Sequence, residues 1–327
     1  MCGVPNISVI MPVYNAAPYL KESIESILNQ IFDDFEFIII DDFSTDNSYN
    51  VLEYYAAKDS RIRLFKNDRN YKQAYTRNIG IKHSRGKYLA FMDADDIALP
   101  ERLIKQFEFM ETNENIDIAG VWYIAYSHDM SNILYKQQDP IKHWEIVINM
   151  HLFRNALAQY VIVRRHVFDV VLYDASYKNL AEDYELWLRA IEYGFILANL
   201  STVLMKYRVY ELSSCHKNGS QIDVYIQSVH KKYLKHLFGV EYYDHIAEDH
   251  ELLVYRNKTI SFFLRNLGRY TKHLNLLKQA NDKNKIYPQQ AFDEVIEQLS
   301  VKNKVFNKLK KIFRVHVARL LHIDKQL

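Results

Sequence analysis

The chain has 327 residues, 49% apolar and 25% charged, with two cysteines and a formal net charge of +2. At roughly 100–200 residues per domain this allows one large domain, or one with a smaller appendage, and a core that needs no disulfide framework. Collagen-like, disordered and disulfide-scaffold classes are excluded. Cys2 and Cys215 form no CxxC pair, which fits a reducing compartment. No basic region precedes a long apolar stretch at the start, and no run approaches the roughly 18 apolar residues of a spanning helix. The expectation is a cytoplasmic protein.

The first 125 residues alternate short apolar runs with amphipathic ones. Ile7–Val13 reads as a buried strand and Pro18–Gln30 as a helix with Leu20, Ile24, Ile27 and Leu28 on one face. Phe35–Ile40 is a second strand, followed by the polar turn Asp42–Ser48 and a helix over Val51–Ala57. Ile62–Phe65 is a third strand, Gln73–His83 a helix and Tyr88–Met92 a fourth strand. Pro100 opens a helix at its first position, where a missing N–H costs nothing. Ile116–Tyr126 reads as a fifth strand. This alternation predicts an α/β fold, with parallel strands covered by helices on both faces. Ligands then sit at the carboxyl ends of the strands, where Tyr14-Asn15, Asp41-Asp42 and Asp93–Asp96 fall.

Further on, a helix around Ile141–Met150 leads to a strand, Ala158–Val163. Glu182–Tyr193 is a helix ended by Gly194 as C-cap. Phe195–Asn199 and Thr202–Tyr207 read as two strands. The organisation is a 1–220 domain, a helical appendage over 221–300, and a basic amphipathic helix over 301–327. That last segment holds eight Lys/Arg against one Asp, a local +7, and leaves the other 300 residues at −5. A nucleic-acid partner would want a basic body and is set aside. The segment's apolar residues (Val301, Val305, Leu309, Ile312, Phe313, Val317, Leu320) lie largely opposite Lys304, Lys308, Lys311 and Arg314. Such a helix suits an anionic membrane surface or the protein's own core.

Three acidic clusters could carry chemistry. In FMDADD, strand alternation puts Asp93 and Asp95 on one side, where two carboxylates can hold Mg²⁺ or Mn²⁺. The plainer reading is a polar loop capping the next helix. Asp41-Asp42 ends a buried strand, where a carboxylate can accept from a nucleobase N–H or ribose, while Asp46 caps the following helix. Ala181-Glu182-Asp183-Tyr184-Glu185 starts a helix. Acids there are favoured by the helix dipole, and the rigid backbone also suits a general base.

SVIMPVYN, IIIDDFSTDNS, NYKQAYTRNIGIKHSRGKYLAFMDADD and AEDYELWLR, in that order over residues 6–215, closely resemble the inverting family 2 glycosyltransferases. The resemblance implies a GT-A fold, with a Rossmann-like, mostly parallel sheet, a nucleotide-sugar donor and Mn²⁺ or Mg²⁺. It implies that Pro12 and Tyr14 line the nucleotide pocket, that Asp42 pairs with the base N–H, and that Arg77 approaches the nucleotide or its phosphates. Asp93 would touch ribose or metal, Asp95 would be the direct metal ligand, and His216 could complete the metal site. Asp183 matches the family's catalytic base, with Glu182 beside it. A UDP-sugar donor and a saccharide or lipid-linked acceptor follow, in surface polysaccharide or glycolipid synthesis, with the membrane as a surface that enzyme and acceptor share.

Two departures stand out. Lys72 occupies a position where relatives commonly carry Gly. The stretch NALAQYVIVRRHVFDVVLYDASYK lacks the family's usual His and Gly pair, which leaves donor identity open. A nucleotidyltransferase or dinucleotide oxidoreductase would want a Gly-rich loop after the first strand, and Val13–Pro18 has no Gly. A catalytically silent scaffold subunit would be favoured by loss of Asp95 or Asp183, and both are present.

Overall fold

The computed structural model describes residues 3–177, 181–210, 219–239, 246–251, 254 and 266–300. The chain divides into two compact units, one of residues 1–150 with 155–227 and one of 151–154 with the residues from Ser228 onward. His216 and the basic segment 301–327 lie outside the described residues, as do the expected appendage positions 240–245, 252–253 and 255–265.

In the first unit, β1 (Ile7–Val13) and β2 (Phe35–Asp41) are buried along their whole lengths, because helices cover both faces. They pair in parallel with each other, β2 with β3 (Ile62–Lys66) and β1 with β4 (Tyr88–Phe91). The connecting helices are α1 (Ala17–Leu28), α2 (Ser48–Lys58) and α3 (Gln73–His83). Ser8, polar in a buried strand, donates to Glu36 Oε1 at 2.7 Å, and Glu36 is in turn paired with Arg63 and Arg85.

Gly80 brings α3 down onto the sheet. A Cβ there would stand 2.4 Å from Ile10 Cγ2 and 3.0 Å from Ile40 Cδ1. Gly80→Ala is therefore expected to cost about 1–2 kcal/mol net, the overpacking penalty outweighing alanine's better helix propensity. An unchanged urea midpoint would show that α3 can slide outward instead.

Beyond β4 the sheet becomes mixed. Its order among the described residues is β3-β2-β1-β4-β8-β6-β9-β5, with β7 beside β6. β5 (Ile97–Ala98), β7 (Ile133–Gln137) and β8 (Ile162–Arg164) are antiparallel to their neighbours, while β6 (Ile118–Tyr126) and β9 (Leu197–Arg208) are parallel to each other. The α/β class stands, but the parallel arrangement is confined to the first four strands and the β6–β9 pair. The two strands expected over 195–207 are one. The register passes from Val121↔Leu200 to Trp122↔Val203, so Ser201 and Thr202 form a bulge and not a strand end. Pro100 lies two residues before α4 (Arg102–Thr112), in the turn closed by Arg102 N–H on Leu99 O.

α5 (His143–Leu152) and α6 (Glu182–Glu192) follow the expected positions. Gly194, at φ +85°, ends α6 as expected. Its N–H bonds Ile191 O while Phe195 N–H bonds Ala190 O, a Schellman pair.

The second unit is helical in its described parts. It takes the end of α7 (Gly219–Phe238), with α8 (Leu267–Asn284) and α9 (Gln289–Leu299). Phe292, Val295 and Ile296 of α9 are buried, and Tyr287 stacks on Phe292. Tyr287 also exchanges backbone bonds with the Asn281 amide. His250 and His273 share a bond of 3.1 Å, and burial pushes both below the ordinary histidine range. No described helix is long and apolar enough to cross a membrane.

Candidate active site

The carboxyl ends of β1, β2 and β4 carry the candidate residues. After β1, Tyr14 presents its ring to solvent at 46% exposure, and Asn15 takes a left-handed turn at φ +50°. The Asn15 side chain accepts from Thr45 N–H at 2.8 Å, tying the loops after β1 and β2 together. Pro12 is buried inside β1, two positions before Tyr14. Asp46 accepts from Ser48 N–H and Ala17 N–H, so it steadies the starts of α1 and α2.

Asp42 is nearly buried and holds the loop ahead of α3. Its Oδ1 accepts from Asn67 Nδ2 (2.8 Å) and Tyr71 N–H (2.9 Å), and its Oδ2 from Lys72 N–H (2.8 Å). Lys72 is at φ +73°, and Phe43 and Ala181 are also left-handed, at +65° and +58°. Four of the six non-glycine residues with positive φ among those described thus flank the same strand ends. Backbone strain concentrates in this way at functional sites.

Arg77 organises the second half of the site. Its guanidinium, 2% exposed, gives Nη2 to Asp93 Oδ1 at 2.8 Å and Nη1 to Glu182 Oε1 at 2.7 Å, over the Tyr173 ring. Burial works against its charge, but Asp93, Tyr173 and Glu182 outweigh burial and raise its pKa. Each terminal nitrogen thus bonds one carboxylate, and Arg77 is a strut between α3, the β4 loop and α6, with its Nε–H left without a partner among the described residues. A cation this deeply buried is stable only when paired, and the nearest anions are the protein's own. Asn78 clasps the Tyr173 backbone with two bonds, Nδ2 to Tyr173 O and Tyr173 N–H to Oδ1.

Ala181 turns the chain so that α6 starts with Glu182 and Asp183. Asp183 accepts from Tyr184 N–H at 2.8 Å and keeps part of its surface open. Burial first, and then the Glu182 charge, push its carboxyl up to about 7, against the pull of Arg77. Asp183 therefore has a proton affinity near neutrality, to which burial contributes most and the neighbouring Glu182 charge second.

The FMDADD acids separate by role. β4 ends at Phe91, so Asp93–Asp96 form a loop in which Asp93 and Asp95 remain partly open while Ala94 and Asp96 are buried. Asp96 accepts from the Tyr160 hydroxyl (2.6 Å) and Arg208 N–H (2.8 Å), and burial raises its pKa well above the usual range. It is a structural acid. Asp95 accepts from the Tyr210 hydroxyl at 2.7 Å, and burial followed by the Asp93 charge pushes it up to about 6. Arg208 braces this loop, donating to Asp95 O and pairing with Glu22. Fully buried Arg102 donates to Phe91 O at 2.6 Å from below.

Among the described residues no three His, Cys, Asp or Glu side chains converge to hold a metal by themselves. Asp93 and Asp95 nevertheless suit a hard cation of the Mg²⁺ type, which is commonly held by one or two carboxylates with water and substrate phosphates completing its shell.

Sequence reading passed over Arg208, Tyr210, Tyr160 and Tyr173. Arg208 and Tyr210 share one side of an extended chain end, an i, i+2 signal that was available. Nothing local marks the other two.

The family model for glycosyl transferase family 2 matches residues 8–168. An uncharacterized glycosyltransferase, MJ1057, of Methanocaldococcus jannaschii is 38% identical over 209 residues, 63% of this chain and 71% of that protein. An uncharacterized glycosyltransferase of Haemophilus influenzae is 34% identical over 219 residues, 64% of this chain and 67% of its own. The fold is that of S. aureus TarS 1–349, solved in complex with UDP-GlcNAc (TM-score 0.55, 16% identity, 91% of this chain and 88% of that one). It is likewise that of the mannosyltransferase PcManGT of Pyrobaculum calidifontis, solved with GDP-Man and Mn²⁺ (TM-score 0.51, 14% identity, 91% and 87%). A GT-A-type sheet with acids at its strand ends, and relatives aligned over most of their own lengths, lead to one conclusion: the chain is a glycosyltransferase and belongs to family 2.

Proposed function

We propose that the protein moves a sugar from a nucleotide-sugar donor, a UDP-sugar by preference, to a hydroxyl of a saccharide or lipid-linked acceptor. Transfer inverts the anomeric centre and depends on Mn²⁺ or Mg²⁺. The observation that carries this reading is Asp183, a carboxylate raised to about 7 at a helix start, next to Glu182, which Arg77 ties to Asp93 at the β4 end. The UDP-GlcNAc and GDP-Man complexes of the structural neighbours are consistent with a nucleotide-sugar donor.

Asp183 takes the proton of the acceptor hydroxyl as that oxygen bonds to the anomeric carbon. The bond from that carbon to the diphosphate breaks on the opposite face, and its electron pair leaves with the nucleoside diphosphate. An α-linked donor then yields a β-glycoside. Burial sets most of the basicity of Asp183, with Glu182 raising it and Arg77 lowering it. Tyr14 stacks on the base, Pro12 backs that pocket, and Asp42 accepts a base N–H. A divalent cation on Asp95 and Asp93, with His216 as a further ligand, would neutralise charge on the departing diphosphate. We assign the basic segment 301–327 to an anionic membrane surface on the cytoplasmic side, which a lipid-linked acceptor would share.

The test is a thermal-shift panel of UDP, UDP-sugars, GDP-mannose and dTDP-sugars, each with Mn²⁺ and with EDTA, followed by proton NMR of the product's anomeric coupling. Stabilisation by uridine nucleotides that needs metal is expected, and a retained anomeric configuration would reject the single displacement. Asp95→Ala is expected to lose the metal-dependent part of the shift and keep the EDTA value. An undiminished Mn²⁺ response in that variant would remove Asp95 from the metal set.

A further inference from the structure

Lys72 combines a backbone geometry that strongly favours glycine with a side chain directed at the candidate nucleotide pocket. At φ +73° and ψ 168° it occupies a region that is essentially glycine-only. Every bond holding that conformation uses the backbone. Lys72 N–H donates to Asp42 Oδ2 and to Asn70 Oδ1, and Lys72 O accepts from Thr76 N–H. Glycine would make all three bonds without strain. What lysine adds is its ammonium, which lies 5.8 Å from the centre of the exposed Tyr14 ring and makes no ion pair among the described residues.

Asp42 is bonded to the backbone N–H of Lys72. A carboxylate offers about four acceptor positions. Asn67, Tyr71 and Lys72 take three, so the one remaining is on Oδ2, beside Lys72. A flat ring stacked on Tyr14 would have the Asp42 acceptor on the loop that Lys72 belongs to, and the flexible stem of Lys72 to carry a cationic donor to the neighbouring edge position.

Resting on the nucleotide-sugar reading above, we propose that Asp42 and Lys72 together read the base edge. Asp42 accepts a ring N–H and Lys72 donates to the adjacent ring carbonyl. The pair selects bases with an imide or lactam edge (uracil, thymine, guanine). Cytosine is opposed twice, because its ring nitrogen lone pair would face the carboxylate and its amino group the ammonium. Lys72 is thus a specificity residue whose strained backbone is kept for the position of its side chain.

The experiment titrates the full chain with UDP, CDP and uridine, for the wild type, Lys72→Met and Lys72→Gly. Wild type is expected to prefer UDP to CDP. Lys72→Met keeps the strain and removes the charge. It should weaken UDP and uridine alike, by about tenfold, as expected for one charge-assisted bond, and narrow the UDP-to-CDP ratio by at least as much, since the opposition to the cytosine amino group is also removed. Lys72→Gly should show the same binding loss yet melt about 2–6 °C higher, since strain is relieved.

Lys72→Met binding UDP as tightly as wild type would overturn the inference while leaving the donor reading intact. So would a loss for UDP with none for uridine, which would place the ammonium on the phosphates. A Lys72→Gly protein that melts no higher would remove the strain argument. A wild type that binds none of the three ligands would overturn the nucleotide reading and this inference with it.

Discussion

Asp183→Asn is expected to lower turnover by about 10²–10⁴-fold, the range for removing a general base, while leaving nucleotide affinity unchanged. The amide keeps an oxygen for Tyr184 N–H, so the start of α6 should persist, but it cannot take a proton from the acceptor. Turnover within tenfold of wild type would reject Asp183 as the base. The pH profile supplies a second check. The working form is the carboxylate, and burial with the Glu182 charge places its pKa at about 7. Below that pH the rate should fall about tenfold per unit, and above it this group should impose no further change. Glu182→Gln removes the like charge and leaves Arg77 to act more strongly on Asp183, so the acid limb should move to lower pH. It should still lie above the ordinary carboxylate range, because burial is the larger cause. A limb that stays in place would mean that Glu182 does not act through Asp183.

Arg77→Met has the largest expected effect on stability. Methionine keeps the unbranched stem but not the guanidinium, so Glu182, 8% exposed, and Asp93 lose their cation. Removing one partner of a buried pair typically costs about 3–5 kcal/mol, which for a unit of this size lowers the melting temperature by roughly 6–20 °C. The double variant Arg77→Met with Glu182→Gln should recover part of that loss, since no buried charge is then stranded on α6. Losses that simply add would show that Glu182 finds another partner or is hydrated. A single variant that melts like wild type would contradict the strut. Asp95 has its side-chain partner in Tyr210 and not in Arg77, so the strut and the candidate metal acid can be perturbed separately.

The order of β1 to β4 with their helices, and the acids at their ends, could be read from the chain. Alternation and apolar runs are local properties, whereas the lateral order β3-β2-β1-β4, with its crossover between β3 and β4, is set by the tertiary structure. The end of α6 could be read for the same reason, because Gly194 marks a conformation that L-residues avoid. The family was legible because its motifs lie in order along one stretch.

The partners of the charges were not legible. Arg77 finds Glu182 105 positions away, and Tyr160 and Arg208 find Asp96 across 64 and 112. Alternation within FMDADD singled out Asp93 and Asp95, the two that remain partly open, but the reason Asp96 is closed off lies with those distant donors. The bulge that joins 197–208 into one strand needs β6 alongside, and β5 and β7 exist only through the strands they meet. Local sequence determined where the acids emerge. Tertiary structure decided which of them are neutralised, because a buried charge takes its character from whatever the fold brings against it.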